Sequence, residues 1–336
     1  MKNSQALATA LWLVRDTFRQ SIAQGIFAIL LAITMISILV CLSIGVSGPA
    51  TLSHGDENPD FLSRRDVEAA ETAKLKTSGV EVLTGDLTLG FGAIRVPLAR
   101  DTKGAVHFVE LVLAGGVADT LGLLLTLIWT AGFLPGFLEG RNVCLLLTKP
   151  APRWALLIGK YLGVLSFVLF HAVIFVGGTW TAIGLRTGFW DPTYLLCIPL
   201  LLLHFSIFFG VSVLLAVWTR NAVACVFGSI AFWSVAWSMN FGRHAYFTSR
   251  DLLAESIGSG YLTYLVDAGY WILPKPADLG FLLFNALDAK GNFGQSLDFD
   301  ALSAQGFSMS LSIASSLAFA ACVLFASARK FELTDY

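Results

Sequence analysis

Long apolar runs separated by short polar segments organise most of this chain of 336 residues. Six runs are long enough to cross a bilayer: Ile26 to Val46, Gly115 to Phe137, Trp154 to Gly177, Tyr194 to Trp218, Ala222 to Met239 and Phe307 to Ser327. A hydrocarbon core of about 30 Å needs about 20 helical residues, so each run predicts one transmembrane helix. Ahead of the first run, Leu7, Leu11, Val14, Phe18 and Ile22 recur at helical spacing, while Arg15, Asp16, Arg19 and Gln20 gather elsewhere on the wheel. That amphipathic pattern predicts an interfacial helix, with Trp12 at the level of the lipid headgroups. The first apolar run is longer than the ~7 to 15 residues of a secretory signal core, so it is expected to stay as an anchor.

The polar stretches complete the plan. Residues 47–114 open on SGPATLSHGDENPD, pass a possible short helix at Asp66 to Lys76, and then alternate at Leu87, Leu89, Phe91 and at Ile94, Val96, Leu98. This period of two predicts a small β-rich insertion, bent at Gly90 and Gly92. Residues 242–305 contain an apolar stretch that Pro274 and Pro276 divide into two pieces, each too short to cross. These predict short external or re-entrant helices. The expected fold is therefore an all-α polytopic membrane protein with six transmembrane helices, an N-terminal interfacial helix and a small β-rich external insertion. Its segments are the interfacial helix at 1–25, spans at 26–46, 115–138, 154–186, 193–219, 221–241 and 306–328, the external stretches 47–114 and 242–305, a cytosolic segment at 139–153 and a tail at 329–336. Only Thr219, Arg220 and Asn221 separate the fourth and fifth spans, which makes them antiparallel neighbours.

Composition narrows the class further. With 56% hydrophobic and 13% charged residues, the chain is far more apolar than a soluble domain. A net charge of −1 leaves no basic surplus for nucleic acid. The five cysteines, Cys41, Cys144, Cys197, Cys225 and Cys322, form no CxxC pair and no disulfide framework outside the membrane. Lys2, Arg15, Arg19, Arg141, Lys149, Arg153, Lys160, Arg220, Arg329 and Lys330 fall on one side of the spans, dense over short segments. The positive-inside preference then puts both termini in the cytosol.

The segment EGRNVCLLLTKPAPRWALLIGK, Glu139 to Lys160, is the most informative of the inside loops. Glu139 and Gly140 stop the second span, Val143 to Leu147 read as a short apolar helix, Pro150 and Pro152 break it, and Arg153 opens the next span. An acid and glycine, a short helix with paired leucines at Leu145 and Leu146, Pro150, Arg153, and a leucine-rich entry through Leu156 and Leu157 to Gly159 and Lys160 together resemble the permease subunits of ABC-2 type ABC transporters. The interfacial helix, the six spans, the first external segment and the broken helices before the last span are similar to that family as well. Arg141, Asn142 and Pro152 depart from its usual pattern.

The resemblance implies a membrane-spanning exporter subunit, in the bacterial inner membrane, whose short cytosolic helix docks on a separate ABC-type ATPase. Glu139, Gly140, Val143, Leu145, Leu146, Pro150 and Arg153 would make that coupling. The chain has no GxxxxGK[ST] phosphate loop, since Gly159-Lys160 is followed by Tyr161. No cofactor is accordingly expected in this chain, and ATP and magnesium are assigned to the partner. The resemblance also implies a homodimer or a pair with a related permease, surrounded by lipid.

Other residues carry two readings each. Gly159 and Gly163 form a GxxxG step, and Ser312, Ser316 and Ala320 a small-residue stripe; both suit packing within the chain or between two permeases. Ionisable groups inside spans are expensive, so Asp119, His171 and His204 are either hydrogen-bonded packing residues or contacts of a substrate path. Enzymatic readings rank lower: the histidines offer no HExxH pair, and Asp119 is the only acid in the six runs. A non-transporting anchor for an ATPase-driven signalling or assembly complex would use the same docking helix and stands as the alternative.

Overall fold

The computed structural model describes residues 2–23, 25–47, 85–98, 102–138, 152–248, 260–286 and 308–334. The chain enters through α1 (Lys2–Ile22) and α2 (Gly25–Leu42). Their apolar portions meet at 75°. The long apolar run thus begins at a sharp elbow, and the amphipathic segment before it is a separate helix. On α1, Leu11, Trp12 and Ile22 are exposed, while Leu13, Thr17 and Ser21 are fully buried. Leu11 and Ile22 of the apolar pattern thus face outward, whereas Phe18 turns to the bundle and packs edge-on against Phe167 and Phe170.

Beyond α2 the chain forms β1 (Gly45–Ser47), which pairs antiparallel with β2 (Gly85–Leu89), itself paired antiparallel with β3 (Ile94–Leu98). The predicted external insertion therefore contains a three-stranded sheet in the order β1-β2-β3. Gly90, Phe91 and Gly92 all adopt positive φ in the β2–β3 turn. Two glycines make this turn accessible, and Phe91 is carried into it with its ring exposed rather than continuing the strand as its alternation suggests. The possible helix at 66–76 lies outside the described residues.

The second span starts earlier than its apolar run. α3 (Thr102–Leu111) leads into a π-helical stretch, Val112–Gly122, then α4 (Leu123–Thr130) and α5 (Phe133–Phe137). Gly115 and Gly116 weaken the α-helical ladder there, and the Thr120 hydroxyl donates to the Gly115 carbonyl. The remaining elements are α6 (Arg153–Thr187), a 3₁₀ turn at Pro192–Leu196, α7 (Cys197–Thr219), α8 (Ala222–Thr248), α9 (Gly260–Ile272), α10 (Pro276–Ala286) and α11 (Met309–Leu333). Arg220 takes the left-handed conformation that ends α7, and Asn221 caps α8 by accepting from the Val223 amide. α9 and α10 are the two pieces separated by Pro274 and Pro276, as the proline positions predict.

Among the described residues five helices are long and apolar enough to cross a membrane, six if the bent pair α1–α2 counts as one span. The protein is a polytopic helical membrane protein. Its central helix is α7: 61% of its most apolar window is buried, against 17–33% in the other four long helices. It is packed by α4, α6, α8 and α11. One apolar cluster, including Leu127, Phe133, Phe167, Phe209 and Phe331, fills the half of the bundle around the α1–α6 contact. A second, including Leu87, Val106, Val176, Ile183 and Tyr194, fills the half beside the sheet. Exposed Ile29, Leu39, Phe227 and Phe325 form outward surface that hydrocarbon covers.

The α1–α6 contact depends on one glycine. A Cβ on Gly163 would lie 2.6 Å from Thr17 Oγ1 and 3.3 Å from the Leu13 carbonyl oxygen. Thr17 is pinned, because its hydroxyl donates to that same carbonyl at 2.8 Å. We expect Gly163→Val to push α1 off α6 and destabilise the protein by about 1 to 3 kcal/mol. Melting curves of detergent-solubilised protein check this, with Gly177→Ala, where a Cβ meets nothing within 4 Å, as the neutral control.

Candidate functional site

At its start, α6 joins three parts of the chain within its first turns. Arg153 Nη1 donates to the backbone carbonyls of Thr334 at 2.8 Å and Glu332 at 3.3 Å, tying the start of α6 to the end of α11. Two turns on, the buried Lys160 donates from Nζ to Gln20 Oε1 at 2.8 Å, with Asp16 at 3.9 Å. The same ammonium sits 5.8 Å from the ring centroids of Phe133 and Phe137, over aromatic faces that attract a cation. Gly159 and Gly163 are both buried, and Gly163 serves the close approach of α1. The glycine step is thus a seat for the interfacial helix. Glu139, Gly140, Val143, Leu145, Leu146 and Pro150 lie outside the described residues, so Arg153 is the one proposed coupling residue with a described position.

Deeper in the bundle the structure brings Asp119 and His204 together. Asp119 Oδ1 lies 2.5 Å from His204 Nδ1, joining the π-helical stretch of the second span to the central α7. A widened helix puts a carboxylate where it meets a histidine on another span, which lowers the expense of both groups in an apolar medium. His171 is not part of this pair. It stands in an aromatic cage of Phe27, Trp129, Phe167 and Phe170. It also lines a largely apolar cavity of about 260 Å³ with Thr34, Leu121, Thr126 and Phe205.

A larger polar centre, not anticipated from the sequence, lies where the broken helices meet α8 and α11. Asp278 is at its middle, 2% exposed. Its Oδ1 is 2.5 Å from His244 Nε2 and accepts from Asn240 Nδ2 at 2.9 Å; its Oδ2 accepts from the hydroxyls of Tyr270 at 2.9 Å and Ser312. The Asp278 amide donates to Asn240 Oδ1 at 3.0 Å. Lys275, also buried, reaches Ser315 Oγ with its ammonium at 2.6 Å, and its amide donates to Ser316 Oγ. Arg243 pairs with Asp267 at 2.8 Å and stacks over the Tyr270 ring at 4.1 Å.

The small-residue stripe of the last span therefore has a defined use: Ser312 and Ser316 are hydrogen-bonding seats for α10 and the turn before it, and Ala320 packs in the apolar cluster that contains Phe209. Burial alone would raise the Asp278 carboxyl, but hydrogen bonds and charge from His244, with Ser312 and Asn240, hold it below the ordinary carboxylate range. Burial pulls the Lys275 ammonium below the ordinary lysine range, partly opposed by Asp278. Burial and the neighbouring Asp278 raise the Tyr270 phenol.

A third group corrects the expectation that this chain holds no cofactor. His107 and Glu110, three apart on α3, converge with Asp191 at the entry to the fourth span. All three are buried, and one ligand atom of each lies within 4.8 Å of the others. His107 Nε2 is 3.2 Å from Asp191 Oδ2. This triad is a candidate metal-binding site within the chain itself. The absence of an HExxH pair drew attention away from it, because the histidine here is matched by a carboxylate at i+3 and a second one far along the chain. Both missed centres had a faint signal: His107 with Glu110 at the head of a span, and Lys275 with Asp278 between apolar stretches.

No protein-family model matches the sequence, and no curated protein matches it either.

Proposed function

We propose that this protein is the membrane-spanning permease subunit of an ABC-2 type ABC transporter, an exporter in the bacterial inner membrane with both termini in the cytosol. One observation carries the reading most. The interfacial helix α1 turns 75° into the first span and is clasped by α6 through Gly163 and Lys160, immediately after the segment 139–151. A force applied to that segment would enter α6 at Arg153 and reach α1 and the end of α11 together, through bonds that span the inner side. Such a junction suits a subunit moved by a separate motor. In this reading the chain is a transport subunit rather than an enzyme, ATP is hydrolysed by an ABC-type ATPase partner, and two permease copies, or this chain with a related one, enclose the path.

Reconstitution of the chain with an ABC-type ATPase that co-purifies with it tests the proposal. ATP-dependent movement of a lipid or amphiphile across proteoliposomes is the expected result. ATPase coupling with no movement across a broad panel would instead favour the membrane anchor.

A further inference from the structure

The triad on the outer side of the bundle supports an inference that is independent of the transport reading. His107 and Glu110 share a face of α3 because residues three apart are neighbours on a helix. Asp191 is fixed from the other side: its Oδ1 accepts from the Thr193 amide at 2.9 Å as the 3₁₀ turn begins, and its carbonyl accepts from Trp180 Nε1 at 2.8 Å. Its remaining oxygen, Oδ2, is the one turned to His107.

Glu110 is the decisive member. Its side chain is on a residue only 1% exposed, and Oε2 is buried with no hydrogen-bond partner. Among the described residues neither Glu110 nor Asp191 is paired with a lysine or arginine. Two buried carboxylates side by side repel each other, and an unpartnered carboxylate oxygen is unfavourable in an apolar interior. A cation between them removes both difficulties.

We propose that His107, Glu110 and Asp191 bind a divalent transition-metal ion, of the zinc or manganese type, that clasps the outer end of the second span to the entry of the fourth. The donor set selects the class: one imidazole with two carboxylates suits these borderline ions, whereas calcium and magnesium prefer all-oxygen sites. Ligand atoms within 4.8 Å of one another close onto one ion with side-chain movements of about an ångström, given metal–ligand bonds of about 2.0 to 2.2 Å. The three ligands leave a fourth position for water. The backbone-held Asp191 and the Trp180 contact supply the outer support that orients such ligands. The ion would act as a staple, because α3 and the 190–192 turn belong to different spans.

The test uses the full chain, purified in detergent with a tag free of histidine and stripped with a chelator. Zinc or manganese is added back, with calcium and magnesium as controls; metal content is measured by elemental analysis and stability by thermal unfolding. The expected result is one zinc or manganese ion per chain and a rise in melting temperature that calcium and magnesium do not reproduce. Glu110→Gln and Asp191→Asn should each weaken the apparent affinity at least about tenfold. Glu110→Gln keeps side-chain volume and removes the charge, so the variant should fold. No retained metal, or stabilisation by metal that is the same in the wild type and both variants, would overturn the proposal. In that event Glu110→Gln without metal would melt at or above the wild-type temperature, as expected for a carboxyl that is protonated in place.

Discussion

Leu146→Asp and Arg153→Glu should each remove the stimulation of the proposed ATPase partner by this chain, by about tenfold or more, while both proteins still insert into the membrane. The two substitutions act differently. Leu146→Asp places a charge in the apolar run Val143 to Leu147, which the proposed docking would have to desolvate at a cost of several kcal/mol. Arg153→Glu reverses the charge that meets the carbonyls of Glu332 and Thr334, so a carboxylate would face two carbonyl oxygens and the tail of α11 would be released. Stimulation assays on the reconstituted pair, read beside membrane fractionation, separate lost coupling from lost insertion. Full stimulation in both variants would defeat the docking assignment.

Asp278→Ala should lower the stability of the protein more than any other single change outside the apolar core. It removes the common partner of His244, Asn240, Tyr270 and Ser312 in one step. Breaking a buried ionic network by removing one partner costs about 3 to 5 kcal/mol, a fall in melting temperature of roughly 4 to 7 °C for a protein of this size. The pH dependence follows from the sign of the shift. The folded carboxyl lies below its ordinary value of 3.8. Its contribution is therefore fully present above that value and is lost as the pH falls through the lower folded value, that is, below about pH 4. His244 on α8 and Lys275 in the turn before α10 are the basic groups that face this carboxylate from the packed elements. Asp278→Asn should flatten this acid loss while keeping most of the hydrogen bonds. An Asp278→Ala melting temperature within a degree or two of wild type would show that the centre does not hold α10 to α8 and α11.

Much of the fold was legible in the pattern of apolar positions because the bilayer imposes a simple rule. A helix must bury its backbone polar groups and present about 20 apolar residues, and the runs at α6, α7 and α11 each fall largely within one helix, although α6 continues ten residues past its run and α11 six. Pro274 and Pro276 announced the break between α9 and α10, because proline cannot continue a helix. The start of the second span was harder to see. Thr102–Leu111 carries Lys103, His107 and Glu110, a composition that suggests a segment outside the membrane, and it is helical because one face packs Ala105 and Val106 in the apolar cluster beside the sheet.

The polar centres were legible only in part. Asp119 and His204 stood out as ionisable residues in apolar runs, yet their pairing depends on how the π-helical stretch rotates Asp119 toward α7, which spacing along the chain does not encode. Asp278 and His244 were invisible as partners because 34 positions separate them. Ser312 and Ser316 read as small packing residues, since a serine's hydroxyl looks alike whether it bonds its own helix or another. His107 and Glu110 meet Asp191 only after two spans have crossed the membrane and returned. In each case one helix supplied half of the site, and tertiary packing supplied the rest.

The central claim is that the segment between the second and third spans receives a motor protein on the cytosolic side. A photo-crosslinking residue at position 146, activated in native membranes with the protein at its natural level, tests it most directly. The account predicts a covalent adduct with a nucleotide-binding subunit that carries a phosphate-binding loop, formed in inverted vesicles and lost on Arg153→Glu. An adduct formed only with proteins on the outer face, or none with any ATPase, would contradict it.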